Sequence, residues 1–237
     1  MVKNILKLIV VFIIGTIGGI FADQILWPYF IERPLFYEYR LEKNPIYVTE
    51  IKEITIQENE ALKNAIEKIE KAIVGVKSET KKGTIYEGAG LIVTADGLVI
   101  TLAQLVPSGA QVNLYLEGRK IDATVLKQDK DFALLKIEEN DLKTVGFFDF
   151  RDIRLGERVF FVGTIFDKND IPQKTVNEGI ITSFDQDFVQ TNIFEDQDIQ
   201  GSSLFNIDGQ LIGLSKIKKN GKVFAISIER IHSFLGF

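Results

Sequence analysis

From residue 73 onward the chain is cut into short apolar runs by turn dipeptides. Asp96-Gly97, Asp208-Gly209 and Asn220-Gly221 each sit between two such runs, which is the strongest short-range signature of a β-hairpin. The alternation predicts strands near 73–77, 88–94, 98–101, 111–117, 119–127, 132–137, 158–163, 176–184, 187–191, 203–206, 210–217 and 222–227. So many short strands must bury their apolar faces in a sandwich or a barrel. Ahead of them Leu62, Ala65, Ile66, Ile69 and Ile73 recur at helical spacing after Asn59, a suitable N-cap, so a short amphipathic helix is expected across the later core. Residues 54–56 read as a short strand and 229–235 as a terminal helix.

Composition removes several kinds of chemistry. The 237 residues include no Cys, so no disulfide framework, thiol nucleophile, Cys-ligated zinc or iron–sulfur cluster can be built. There is one His, His232, so no multi-His metal site exists and a His base has a single candidate. Neither metal nor cofactor is expected. The net charge is −5, opposite to the basic surface that a general nucleic-acid binder presents to phosphate.

Residues 5–22 form an apolar run broken only by Lys7. At about 1.5 Å per residue, eighteen residues are just enough to cross a bilayer core. Lys3 and Lys7 stand at its start and no acid precedes Asp23, so the positive-inside rule places the tail in the cytoplasm and the body outside. A cleaved signal peptide is the alternative, although Ile20 is a poor residue for its processing site. Lys3 and Lys7 contribute +2 to the total of −5, leaving −7 on the exported part. Residues 24–57 then form a juxtamembrane linker. Trp27, Tyr29, Phe30, Phe36, Tyr37, Tyr39 and Tyr47 lie in it, while Pro28, Pro34 and Pro45 interrupt any long helix. They read as an interfacial aromatic belt with a tether, or as a contact with another protomer.

The segments GAGLIVTADGLVIT (88–101), KDFALLKI (130–137), LGERVFFVGTIF (155–166), VNEGIITSF (176–184), FVQTNIFEDQDIQGSSLFNIDGQLIGL (188–214) and FAISIERI (224–231) occur in the order of the HtrA/Deg family of trypsin-like serine proteases. The resemblance covers about residues 60–235 and implies an all-β fold of two six-stranded antiparallel barrels with the active site between them. The organisation expected is a tail and anchor at 1–23, the linker at 24–57 and a protease-fold domain at 58–237. The family uses a Ser nucleophile, a His base and an Asp that orients the His, because a hydroxyl needs a base in contact to attack a carbonyl.

Carried over residue by residue, the resemblance places Gln104 at the His position, where TLAQLVPSGA stands for a segment like TNNHVVEGA. Asp131 keeps the Asp position in KDFALLKI. Gln200 stands at the nucleophile, where DIQGSSLFN replaces GNSGGPLVN, and Asp198 replaces the oxyanion-hole Gly. A Gln amide is not basic near neutrality and cannot shuttle a proton. A carboxylate at 198 opposes the negative charge that an oxyanion hole must stabilise. The implied protein is a membrane-anchored pseudoprotease of the cell envelope that binds a peptide or protein ligand. Gln104, Asp198, Gln200 and Gly201 are its candidate cleft residues. A homo-oligomer is expected by the same resemblance.

The alternatives are an active serine endopeptidase with a non-standard site and a structural assembly subunit. Ser202 and Ser203 are the candidates for a shifted nucleophile, but no Lys lies in 190–215 and His232 belongs to the last helix, which in the family packs away from the cleft. The family commonly carries a C-terminal PDZ domain, which is not expected after the last helix. Glu195, Asp196 and Asp198 read as a solvated acidic loop and Asp167–Asp170 as a plain surface loop. If the alignment holds, Gln104 and Asp131 meet at the cleft, within hydrogen-bond reach or through one water. Otherwise Gln104 turns to solvent and the backbone holds Asp131.

Overall fold

The computed structural model describes residues 2–25, 60–195 and 199–236. The aromatic segment 27–47, the strand expected at 54–56, the Asn59 cap and the acidic residues Asp196 and Asp198 lie outside the described residues. The chain divides into two units, Met1–Ile56 and Gln57–Phe237. In the first, α1 (Val2–Phe21) carries only Lys3 and Lys7 as charges. Lys3–Ile25 is long and apolar enough to cross a membrane, a property that anchors and signal sequences share.

The second unit opens with α2 (60–69), which buries Ala65 and Ile69. The first barrel follows: β1 (Ile73–Glu79), β2 (Ile85–Ile92), β3 (Leu98–Leu102), β4 (Gln111–Leu116), β5 (Arg119–Gln128) and β6 (Phe132–Lys136). Its strands close in the order β1-β2-β3-β6-β5-β4, with β1 and β4 antiparallel from Gly75 opposite Tyr115 to Glu79 opposite Gln111. Closure leaves no edge strand in the ring, although the start of β2 overhangs β3, which pairs with it only at Leu91 and Ile92.

A short β7 (Gly146–Phe147) leads to the second barrel: β8 (Arg158–Phe166), β9 (Pro172–Phe184), β10 (Phe188–Phe194), β11 (Ser203–Asn206), β12 (Gln210–Ile217) and β13 (Lys222–Ser227). The order β11-β8-β9-β10-β13-β12 closes through β11 and β12, and β7 adds in parallel to β12 at Gln210 and Leu211. The chain ends on α3 (Ile228–Leu235), which buries Ile228, Ile231 and Phe234.

The expected antiparallel double barrel is therefore the fold observed. One core cluster joins the first barrel to Phe160, Val162, Phe205, Leu211 and Leu214 of the second. The two barrels thus share an apolar seam, as surface of this kind must when removed from water. α3 is not confined to the second barrel, because Phe234 packs 5.5 Å, ring to ring, from Phe132 of the first. Several strands outrun their expected bounds, and two of them do so together. β8 continues to Phe166 and β9 begins at Pro172, so their hairpin extends beyond the apolar runs.

Candidate functional site

The extended β8–β9 hairpin and the first barrel enclose a cleft of about 770 Å³. From the first barrel come Lys77 on β1, Ile85, Tyr86 and Glu87 on β2, and Gln104 with Leu105. The second barrel supplies Thr164, Ile165 and Phe166, Asp170 from the hairpin tip, and Gln200.

Gln104 rides on a single 3-10 turn, Ala103–Leu105, whose apolar ends are buried while Gln104 itself is exposed. Gln200 sits in a turn pinned from two sides. Its carbonyl accepts the Ala89 N–H of β2 at 2.9 Å, and Gly201 N–H donates to Ser215 O of β12 at 3.1 Å. Gly88 must lack a side chain here, since a Cβ would lie 2.4 Å from the Gln200 carbonyl oxygen. The structure thus brings Gln104, Gln200 and Gly201 to one junction between the barrels.

Asp131 is placed differently from the expectation. Its backbone neighbours the Gln104 turn, with Ala103 N–H donating to Asp131 O at 2.9 Å. Its carboxylate, however, accepts from Arg230 Nη2 of α3 at 2.7 Å, and no hydrogen bond joins it to Gln104. Arg230 Nη1 also donates to Asp187 Oδ1 at 3.1 Å. A charged guanidinium with a second carboxylate to hold outcompetes a neutral amide as donor. Neither a direct Gln104 contact nor the backbone alone accounts for Asp131. Arg230 does, and the sequence reading missed it.

The candidates for a shifted nucleophile are inaccessible. Ser202 and Ser203 are both 0% exposed, and Ser202 Oγ donates to Ile199 O at 2.5 Å. His232 lies on α3 beside Phe147, 5.4 Å between ring centres, and does not line the cleft.

Among the described residues, Lys77, Glu87 and Asp170 are the charged side chains that line the cleft. Lys77 Nζ lies 2.9 Å from Glu87 Oε1 and 2.5 Å from Asp170 Oδ1, joining β1 to the β8–β9 hairpin. Burial opposes the ammonium charge, but the bonds to Asp170 and Glu87 outweigh it and raise the Lys77 pKa above the ordinary 10.5. A raised lysine pKa stabilises the fold fully below about 10.5 and loses that contribution only as the pH climbs through the higher value. The contact is therefore intact throughout the neutral range.

Comparison with known proteins agrees with this architecture. Residues 88–214 match the trypsin-like peptidase domain family. "Serine protease HTRA1A" of Danio rerio is 30% identical over 195 residues, 73% of this chain and 40% of that protein. "Serine protease HTR4" of Bos taurus is 32% identical over 168 residues, 64% of this chain and 34% of that protein. The chain belongs to the HtrA/Deg family of trypsin-like serine proteases. Among solved HtrA structures, "HtrA-type protease AlgW with tripeptide" superposes with a TM-score of 0.66 at 25% identity, covering 74% of this chain and 62% of that one. This HtrA-family chain spans less than half the length of those two curated relatives. The matched stretch contains Gln104, Asp131, Gln200 and Gly201.

Proposed function

We propose that this HtrA-family chain is a membrane-anchored pseudoprotease whose inter-barrel cleft binds peptides or protein segments without cutting them. The observation that carries the reading is the pairing of Gln104 and Gln200 along one cleft, with Asp131 engaged by Arg230. The family resemblance assigns the base and the nucleophile to those two Gln positions. An amide supplies neither, and losing nucleophile and base together removes on the order of 10⁶ in turnover. The cleft has a volume of about 770 Å³, apolar side chains among its walls and a pinned Gln200 turn, features that support binding. The tripeptide named with the AlgW structure supports a peptide as the kind of ligand.

Full-length protein in mild detergent is expected to leave casein uncut and to resist a fluorophosphonate probe. Labelling at Ser202 or Ser203 would overturn this reading. The Lys3–Ile25 helix, with Lys3 and Lys7 at its start, supports an anchor that leaves the body outside the cytoplasm. Protease added to intact spheroplasts should then digest the body, and complete protection of residues 60–236 would reverse the topology.

A further inference from the structure

We propose that the cleft selects extended peptides carrying a lysine or arginine, with Asp170 and Glu87 as the carboxylates that receive the cation. The proposal rests on the peptide-binding reading above and adds the chemistry by which one peptide is preferred over another.

Charge and depth carry the argument. Among the described lining residues one ammonium stands against two carboxylates, a net charge of about −1. That cation is sunk and the anions are not: the side chain of Lys77 is 12% exposed, that of Glu87 37% and that of Asp170 65%. A ligand entering from solvent therefore meets carboxylate before ammonium. Of the four carboxylate oxygens, Lys77 engages Glu87 Oε1 and Asp170 Oδ1. The second oxygen of each carboxylate has no hydrogen-bond donor among the described residues. Each is open to a guanidinium or ammonium.

The carboxylates are also held in place. Asp170 adopts a left-handed backbone, φ 62°, which costs a residue with a side chain about 1 kcal/mol. Asp167 supports it: its Oδ1 accepts from Asn169 N at 2.8 Å and Ile171 N at 2.9 Å, and its carbonyl accepts from Asp170 N at 3.0 Å. The loop read from sequence as plain surface is thus a shaped support for one carboxylate.

The walls suit the rest of such a ligand. Ile85 is 50% exposed and Tyr86 37%, and Phe166 stands opposite on β8. The methylene stem of Lys or Arg packs on surfaces of this kind while its charge reaches a polar site. β2 pairs with β3 only at Leu91 and Ile92, so residues 85–87 have a neighbouring strand on the β1 side alone. An extended chain added along that edge would present its side chains to the cleft that Glu87 and Asp170 both line.

The test uses full-length protein immobilised in detergent and a degenerate pool of N-acetylated, C-amidated octapeptides. The retained pool is expected to be enriched in Lys and Arg over Asp and Glu at one position, on the order of tenfold. The isosteric double variant Asp170→Asn, Glu87→Gln should lose that bias while still retaining peptides. A retained pool without charge bias, or a bias that survives in the double variant, overturns the inference and leaves peptide binding standing. Failure to retain any peptide defeats the peptide-binding reading and this inference with it.

Discussion

Gly201→Ala should destabilise the folded body by about 3 kcal/mol, a fall of roughly 6–12 °C in melting temperature for a domain of this size. Two effects add. Gly201 has φ +76°, where a Cβ costs about 1–2 kcal/mol in backbone strain. That Cβ would also lie 2.4 Å from the Ala89 carbonyl oxygen. The oxygen cannot retreat, because Thr101 Oγ1 already donates to it at 2.7 Å from inside the first barrel. Gly109→Ala separates the two effects, since Gly109 has φ +74° and nothing within 4 Å of the added atom. It should cost only the backbone term, about 1 kcal/mol. Calorimetry of both variants decides the matter. Equal losses would mean that the Gln200 turn is not packed against β2 as described.

Local pattern made the barrels legible and made the cleft only partly so. Asp96-Gly97, Asp208-Gly209 and Asn220-Gly221 announced three hairpins because turn chemistry is written in adjacent residues. All twelve expected strands from residue 73 onward are present, within a few residues at their ends. β7 went unseen because two residues, Gly146 and Phe147, carry no periodicity to read. The start of β9 at Pro172 was hidden by a polar run that looks like loop, although its groups pair with β8 outside the main core.

The site follows the same division. Gln104, Asp131 and Gln200 were singled out through the family resemblance, since no spacing rule links residues so far apart; Gln104 and Gln200 line the cleft and Asp131 does not. Lys77, Asp170 and Arg230 were missed for a related reason. Lys77 meets Asp170 across 93 positions, and Arg230 meets Asp131 across 99. A single Lys in a strand or Arg in a helix is ordinarily a solvated charge. Packing of the β8–β9 hairpin on β1 makes partners of the first pair, and packing of α3 against the first barrel makes partners of the second.

Arg230 has the larger consequence for chemistry. Consider the chain restored with Gln104→His, Asp198→Gly and Gln200→Ser. Its new His would need Asp131 as orienter, but that carboxylate is bound to Arg230 at 2.7 Å. Loss of a usable orienting Asp costs about 10⁴ in turnover in a serine protease triad. Adding Arg230→Met should therefore speed fluorophosphonate labelling at position 200 by up to about 10⁴ relative to the restored chain alone. Equal labelling with and without Arg230 would show that Asp131 is free to turn to the cleft. An independent arm needs no catalysis. The side chains of Arg230 and Asp131 are only 30% and 20% exposed. Arg230→Met alone should cost about 2 kcal/mol, less than the 3–5 typical when a fully buried pair is broken. In a double-mutant cycle with Asp131→Asn the coupling should be about 1–2 kcal/mol, because each substitution removes the same contact. Strictly additive losses would mean that Arg230 acts through Asp187 and α3 packing, leaving Asp131 available to a restored His.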